Sequence, residues 1–260
     1  MTSHESDSFC SINRKSLLLN FHTQLLICMQ KNNPNRYSLD QVGVIHSCFK
    51  EKFATPRQPG LVTAALAQVE LIEPFNQIDT VDGLEGFSHI WLSFIFHQTL
   101  AQGWKPKVRP PRLGGNKKLG VFATRSTFRP NPLGLSLVKL ESIDTSKGVI
   151  LHVSGADLID QTPIVDIKPY LPWVESVPTA QSGFASDEQI LQLPIHFSPQ
   201  AQHTLLNRPE LRELIEQVLQ YDPRPAYQKD PERVYGCHIS DINLRWQVGL
   251  DQIDVIEISL

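Results

Sequence analysis

The sequence predicts a mainly β protein: an antiparallel β-barrel over residues 37–175, a linker at 176–194 and a small α+β module at 195–260. Six short segments rich in β-branched and aromatic residues recur between residues 42 and 153, and turn residues separate them. No long amphipathic helix alternates with them, as a doubly wound α/β sheet would require.

In order, the expected strands are VGVIHS from Val42, VELI from Val69, HIWLSFIF from His89, GVFAT from Gly120, LSLVKL from Leu135 and VILHV from Val149. Asp82-Gly83, Gly114-Gly115-Asn116 and Ser146-Lys147-Gly148 supply turns between them. The small, polar run 176–190 reads as a linker. Beyond it, Ser198 and Pro199 read as N-cap and first helical position, and Leu205, Leu206, Leu211, Leu214, Ile215, Val218 and Leu219 then recur near helical spacing. Pro209 splits this region into two helices, because a proline inside a helix removes a hydrogen bond and clashes with the preceding turn. Two or three more strands are expected, in the segments from Val234, Asn243 and Ile253.

Hydrophobic content of 41% and charge of 20% belong to an ordinary soluble globular chain. Residues 1–36 read as an N-terminal extension. Their apolar run at 16–28 is interrupted by Asn20, His22, Thr23 and Gln24, is too short to span a bilayer and precedes no small-residue cleavage site, so it predicts neither membrane anchor nor leader; Met29 offers an alternative start. Cys10, Cys28, Cys48 and Cys237 are far apart and form no C-x-x-C pair, which predicts no metal site, no disulfide framework and a cytoplasmic setting.

The net charge of −3 conceals a segregated distribution. Between Glu85 and Glu141 there is no acid, and this window holds nine of the 24 basic residues, leaving 15 against 27 acids elsewhere: +9 inside, −12 outside. A short Lys/Arg cluster can be a solvated face. A gap this long favours a polyanionic partner, because like charges left without counter-charge repel.

The densest unusual stretch lies in that window: Arg109-Pro-Pro-Arg-Leu-Gly-Gly-Asn, then GVFATRSTFRPNPLG from Gly120 to Gly134. Pro130 and Pro132 exclude a helix, so Arg125 and Arg129 are expected on a strand entering a proline-locked turn. Their guanidinium groups suit two roles, capping carbonyls or forking onto a carboxylate or phosphate. His97, after an apolar strand, is read from residues alone either as a satisfied core histidine or as a polar group at a strand end.

The Gly120–Gly134 stretch resembles the signature of the TrmO/TsaA-like tRNA methyltransferase family. The resemblance extends to Lys52-Phe-Ala-Thr-Pro-Arg-Gln-Pro-Gly, Phe94-Ile-Phe-His-Gln, Arg109–Asn116, Asp157-Leu-Ile-Asp, Pro163-Ile-Val-Asp-Ile-Lys-Pro-Tyr and Asp222-Pro-Arg-Pro-Ala-Tyr, covering roughly residues 40–260 in order. It implies a β-barrel that works as a homodimer and uses S-adenosylmethionine to methylate N6 of threonylcarbamoyladenosine at position 37, in the tRNA anticodon loop. The chain has no G-x-G-x-x-G after a strand, so the cofactor is not held as in a Rossmann fold. Carried over motif by motif, the resemblance implies a cofactor site of Pro56, Arg57, Gln58, His97, Gln98, Arg125, Leu135, Ser154, Gly155, Ala156 and Asp157. In that site Arg125 or Arg57 pairs with the methionine carboxylate, Leu135 covers the adenine, and Asp157 takes hydrogen bonds from adenine or ribose.

Transfer from an already activated sulfonium needs mainly alignment and exclusion of water. The acceptor N6 is a poor nucleophile, so a base that takes its proton helps. The candidates are Asp166, then Asp160, with Lys168 for the substrate's carboxylate and Tyr170 for stacking on a base; Asp166 and Lys168 can equally form a structural ion pair. The basic run 105–118 is expected to track phosphates, and the second module either to support the barrel or to contact RNA through Arg224 and Tyr227. Alternatives are a non-catalytic S-adenosylmethionine- or RNA-binding protein on the same scaffold and a small-molecule methyltransferase. The charge segregation predicts that tRNA affinity, followed by filter binding, falls steeply between low and moderate salt, the logarithmic slope growing by about 0.7 to 0.9 for each phosphate contacted.

Overall fold

A computed structural model describes residues 37–185, 190–224, 228 and 230–260. The expectations for residues 1–36, for part of the linker and for Tyr227 lie outside them. The first unit is built from β1 (Gly43–Ser47), β2 (Leu66–Leu71), β3 (His89–Ile95), β4 (Lys107–Val108), β5 (Leu119–Gly120), β6 (Leu133–Asp144), β7 (Ile150–Ser154) and β8 (Thr162–Pro169). In β1, β2 and β3 every second residue is buried, the period of a half-buried strand. Six strands close into a barrel in the order β1-β2-β7-β6-β3-β8, all neighbours antiparallel. Closure leaves no free edge and encloses a core that includes Ile45, Val69, Ile90, Leu92, Leu151 and Ile164.

The sequence misassigned one barrel strand. Gly120–Thr124 is not a strand of the barrel: Leu119–Gly120 forms a two-residue ladder with Lys107–Val108, and Val121–Ala123 is a 3₁₀ turn. The Thr124 hydroxyl, 2.8 Å from the Val121 carbonyl, and the Arg129 guanidinium, which donates to the Val121 and Thr124 carbonyls, occupy acceptors that a sheet would need. The sixth barrel strand is β8, which carries Pro163 and Pro169, residues that donate no ladder hydrogen bond. It absorbs them near its two ends, with a bulge opposite Ser93 and Phe94.

A short helix α1 (Pro172–Glu175) leads out of the barrel. The second sheet contains β9 (Ile195–Phe197), and after it come α2 (Pro199–Leu205) and α3 (Pro209–Gln220). Ser198 caps α2 as expected, its hydroxyl accepting from the Ala201 N–H at 3.1 Å, and the chain breaks before Pro209. Then β10 (Val234–Ile239), β11 (Ile242–Val248) and β12 (Ile253–Ser259) form an antiparallel run, with β9 parallel to β12. The three-residue β9 was too short to show a period in the sequence.

The module's core holds Trp246, Ile215, Leu219, Ile239 and Ile242, and it also buries Phe49, Ala54, Val62 and Ala65 from the β1–β2 connection. Among the described residues no helix is long and apolar enough to cross a membrane.

In the barrel, Phe94 faces Gly134 across the β3–β6 ladder, and a Cβ at Gly134 would stand 2.2 Å from the ring. Gly134→Ala is therefore expected to lower unfolding free energy by about 1–3 kcal/mol in urea titrations, with much of the loss recovered in Gly134→Ala/Phe94→Leu.

Candidate active site

The topology sends three connections out of one end of the barrel: 48–65 from β1 to β2, 96–132 from β3 to β6, and 155–161 from β7 to β8. Pro56, Arg57 and Gln58 lie in the first, His97, Gln98 and Arg125 in the second, and Gly155, Ala156 and Asp157 in the third, just after Ser154. Residues far apart in sequence thus share one rim, because a closed antiparallel sheet returns every second connection to the same end.

Within that rim the structure joins Gln58, Arg125 and Asp157. Arg125 Nη1 donates to Gln58 Oε1 at 2.5 Å, and its charge acts on Asp157. Asp157 accepts from the Ser136 hydroxyl at 2.5 Å. Burial pushes the Asp157 carboxyl up to about 6, against the lowering effects of the Ser136 hydroxyl and the Arg125 charge. Its residue surface remains partly open to solvent, so the carboxyl sits at a mouth and not in the core.

Ser136 was missed in the sequence, yet the signal was present. In Leu135-Ser-Leu-Val-Lys-Leu strand alternation puts Ser136 on the face of Val138 and Leu140, and a hydroxyl on a buried face requires a partner.

Gly155 (φ +73°) makes the close approach on which the rim depends. Its N–H donates to the Ala65 carbonyl at 3.0 Å, its carbonyl accepts from the Gly60 N–H at 2.8 Å, and a Cβ there would lie 3.3 Å from Gly60 Cα. Ser154 donates to Glu141 at 2.5 Å and is buried with Ala156. Ser154, Gly155 and Ala156 therefore hold backbone in place, while Asp157 presents the polar side chain. Half-buried His97 and exposed Gln98 open a 3₁₀ turn on the same rim.

Arg57 departs from its expected role. Its Nη2 donates to the backbone carbonyls of Asp222 and Arg224, at 3.3 and 3.0 Å, and so engages the second module. Arg224 in turn forks onto its own neighbour Asp222, at 2.7 Å from Nε and 3.0 Å from Nη2, with its side chain only 12% exposed. That burial removes it from the role of a phosphate contact.

Leu135 and Asp166 share a row on the outer wall of the barrel, both opposite Ser93. Lys168 follows opposite Trp91, and Tyr170 sits edge-on to Trp91 and His89, at 6.0 and 6.4 Å. Neighbouring residues of a strand face opposite sides, so Leu135 stands outside while Ser136 holds Asp157 inside. Lys168 forms an ion pair with Asp166. Asp160 is a strut: burial raises its pKa, but the bonds from Lys50 Nζ and the Ser47 N–H, both 2.9 Å, outweigh that and hold it below the ordinary carboxylate value.

The excursion 96–132 carries the basic residues with exposed aromatics among them. Lys105 lies 3.9 Å over the Phe128 ring, while Arg129 lies 5.7 Å from Phe122, and Trp104 and Phe122 are largely exposed. Among the described residues no group of three His, Cys, Asp or Glu side chains could hold a metal ion. Burial pushes the free thiols of Cys48 and Cys237 up to about 12, leaving both unreactive.

Comparison with known proteins covers both units. Residues 44–176 match the tRNA-methyltransferase O N-terminal domain, and residues 191–260 match the TrmO C-terminal domain. The tRNA (adenine(37)-N6)-methyltransferase of Escherichia coli K12 is 51% identical over 219 residues, covering 82% of this chain and 93% of the relative. A Pseudomonas aeruginosa PAO1 relative, RcsF, named as a proposed S-adenosylmethionine-dependent methyltransferase, is 46% identical over 230 residues, 86% of this chain and 98% of its own. The crystal structure of TrmO from Pseudomonas aeruginosa superposes with a TM-score of 0.71 at 38% identity, covering 86% of this chain and 99% of that one.

The perturbed carboxyl gives a prediction with a definite sign. Asp157 holds its proton up to about pH 6 when folded and to about 3.8 otherwise. Its contribution to stability is full below the lower value and is lost as pH rises through the upper one. Asp157→Asn lacks this loss. Between about pH 4.5 and 7.5 the wild type should lose about 2 kcal/mol relative to the variant in urea unfolding, less whatever solvent screening removes.

Proposed function

The chain belongs to the tRNA-methyltransferase O (TrmO) family, and from that premise we propose that it transfers the methyl group of S-adenosylmethionine to N6 of threonylcarbamoyladenosine at position 37 of tRNA, converting t6A to m6t6A. The observation that carries this reading is the meeting of Gln58, Arg125 and Asp157 at one rim from three separate connections.

That rim fits the cofactor chemically. Arg125 offers a guanidinium to a carboxylate, Asp157 a half-buried acceptor for hydroxyl or amine donors, and the tight Gly60–Gly155 contact brings backbone close. When bound, S-adenosylmethionine supplies a methyl group on a sulfonium that needs no further activation. The chain's own work is orientation, exclusion of water and proton removal. His97 and Gln98 extend the polar rim and Pro56 stiffens the loop before Arg57, while Leu135, on the outer wall, lends apolar cover only where a second copy of the chain closes over that wall.

Asp166 is our base for the N6 proton, with Lys168 released from it to pair with the substrate's threonyl carboxylate and Tyr170 stacking on a base. The strut formed by Asp160 suits it less, because its acceptors are already engaged. The barrel at 37–175 carries the chemistry and the module at 195–260 supports it. A homodimer fits the outer wall, where Leu133 and Leu135 expose apolar surface beside Trp91; a second copy covering them encloses Leu135 and Asp166. Free thiols and a tRNA substrate suit a cytoplasmic setting.

Incubation with tritium-labelled S-adenosylmethionine and total tRNA should label the tRNA, and nucleoside mass analysis should place the methyl on t6A. Label on free small molecules alone, or none, would remove the assignment. Under single turnover at saturating cofactor, Asp166→Asn should slow transfer by roughly 10²- to 10⁴-fold; an unchanged rate excludes it as the base.

A further inference from the structure

Besides packing against the β1–β2 connection, the second module holds the side chain of Arg57, next to Gln58 of the rim. Arg57 and Gln58 are adjacent, yet they bond in different directions: Arg57 to the Asp222 and Arg224 carbonyls, Gln58 to Arg125. Arg125 acts on Asp157, which is fixed by Ser136. Hydrogen bonds therefore link the turn at 222–224 to Arg57, and Gln58 beside it to Arg125, whose charge in turn acts on the half-buried carboxyl without contacting it.

That turn is built to hold its shape. Asp222 has φ +42°, a left-handed conformation that L residues rarely adopt, and its carboxylate accepts the fork from Arg224 and a bond from the Arg224 N–H. The Arg224 guanidinium lies 6.0 Å from the Tyr235 ring, which stacks on Trp246 at 5.9 Å in the module's core. A surface ion pair between flexible side chains would fix little, whereas this planar fork is half-buried and lies against the Tyr235 ring. The two carbonyls that receive Arg57 are thus presented from a rigid turn.

We propose that the Asp222–Arg224 fork is a positioning device for the cofactor site, setting the place of Gln58 and Arg125 through Arg57. This rests on the reading of the rim as the S-adenosylmethionine site. Neither Asp222 nor Arg224 touches the reacting groups; both are positioning residues. The fork gives the second module a defined part in the reaction, since it fixes one wall of a site that the barrel alone leaves to a long connection.

The test uses the full-length chain with S-adenosylmethionine and tRNA, comparing Asp222→Asn, Arg224→Lys, Arg57→Ala and Arg57→Lys with wild type. The expected result is a KM and directly measured Kd for S-adenosylmethionine raised by about 10- to 100-fold in Asp222→Asn and Arg57→Ala, as misplacement remote from the chemistry produces. At saturating cofactor kcat should change much less, and Arg57→Lys should recover part of the loss. Asp222→Asn combined with Arg57→Ala should be hardly worse than either alone, because both break the same link. Thermal unfolding of each variant separates this from general loss of fold, which would lower kcat and the melting temperature together and would count against the proposal. Unchanged cofactor affinity in Asp222→Asn and Arg224→Lys, with wild type active, overturns the proposal alone. Failure of the wild type to bind S-adenosylmethionine overturns the reading of the rim, and the proposal with it.

Discussion

The structure depends on where the β1–β2 connection is buried. Phe49, Ala54, Val62 and Ala65 give it an apolar face that belongs to the core of the second module, and the Phe53 ring stacks on Trp246 at 5.7 Å. A connection with few buried contacts would open readily. This one is held between two cores, and its polar groups find partners on both sides: Gly60 with Gly155, and the Ala64 N–H with Gln217 Oε1 at 3.0 Å. Two of its polar side chains, Arg57 and Gln58, are thereby held toward the second module and toward Arg125.

A Rossmann unit binds a cofactor at one helix N-terminus following one strand. In the proposed site three connections share that task, and their convergence follows from closure of an antiparallel sheet. The cost is a carboxyl at the mouth whose charge is disfavoured by burial, with Ser136 and Arg125 offsetting part of it. A perturbed acid in a polar mouth, beside a guanidinium, is an arrangement for ligand recognition more than for stability.

Charge segregation has a matching spatial logic. The acid-free window runs from β3 through the long excursion into β6, so eight of its nine cations lie in the connection that leaves the barrel at the rim, and Lys139 alone sits toward the other end, opposite His89. Exposed Trp104 and Phe122 stand in the same excursion, so aromatic faces lie in the same segment as the positive charge. On the opposite side of β6 the outer wall is apolar at Leu133 and Leu135 and charged at Asp166 and Lys168.

The sequence by itself determined the fold class, five of the six barrel strands, the Ser198 cap, the break at Pro209 and the antiparallel strands of the second module, because these depend on local periodicity, capping and proline chemistry. It also pointed to Gln58, Arg125 and Asp157 as one group, through motif resemblance and not through spacing. The tertiary structure alone decided that β8 and not Gly120–Thr124 completes the barrel, since tolerance of Pro163 and Pro169 depends on their places in the ladder and Thr124 and Arg129 divert the other segment. It alone turned Arg57 and Arg224 from ligand-binding candidates into struts, and Ser136 into the partner of Asp157. A guanidinium looks the same in a sequence whether it meets a ligand or a carbonyl; for Arg57 the two carbonyls lie 165 and 167 positions away, and only the tertiary structure brings them within reach.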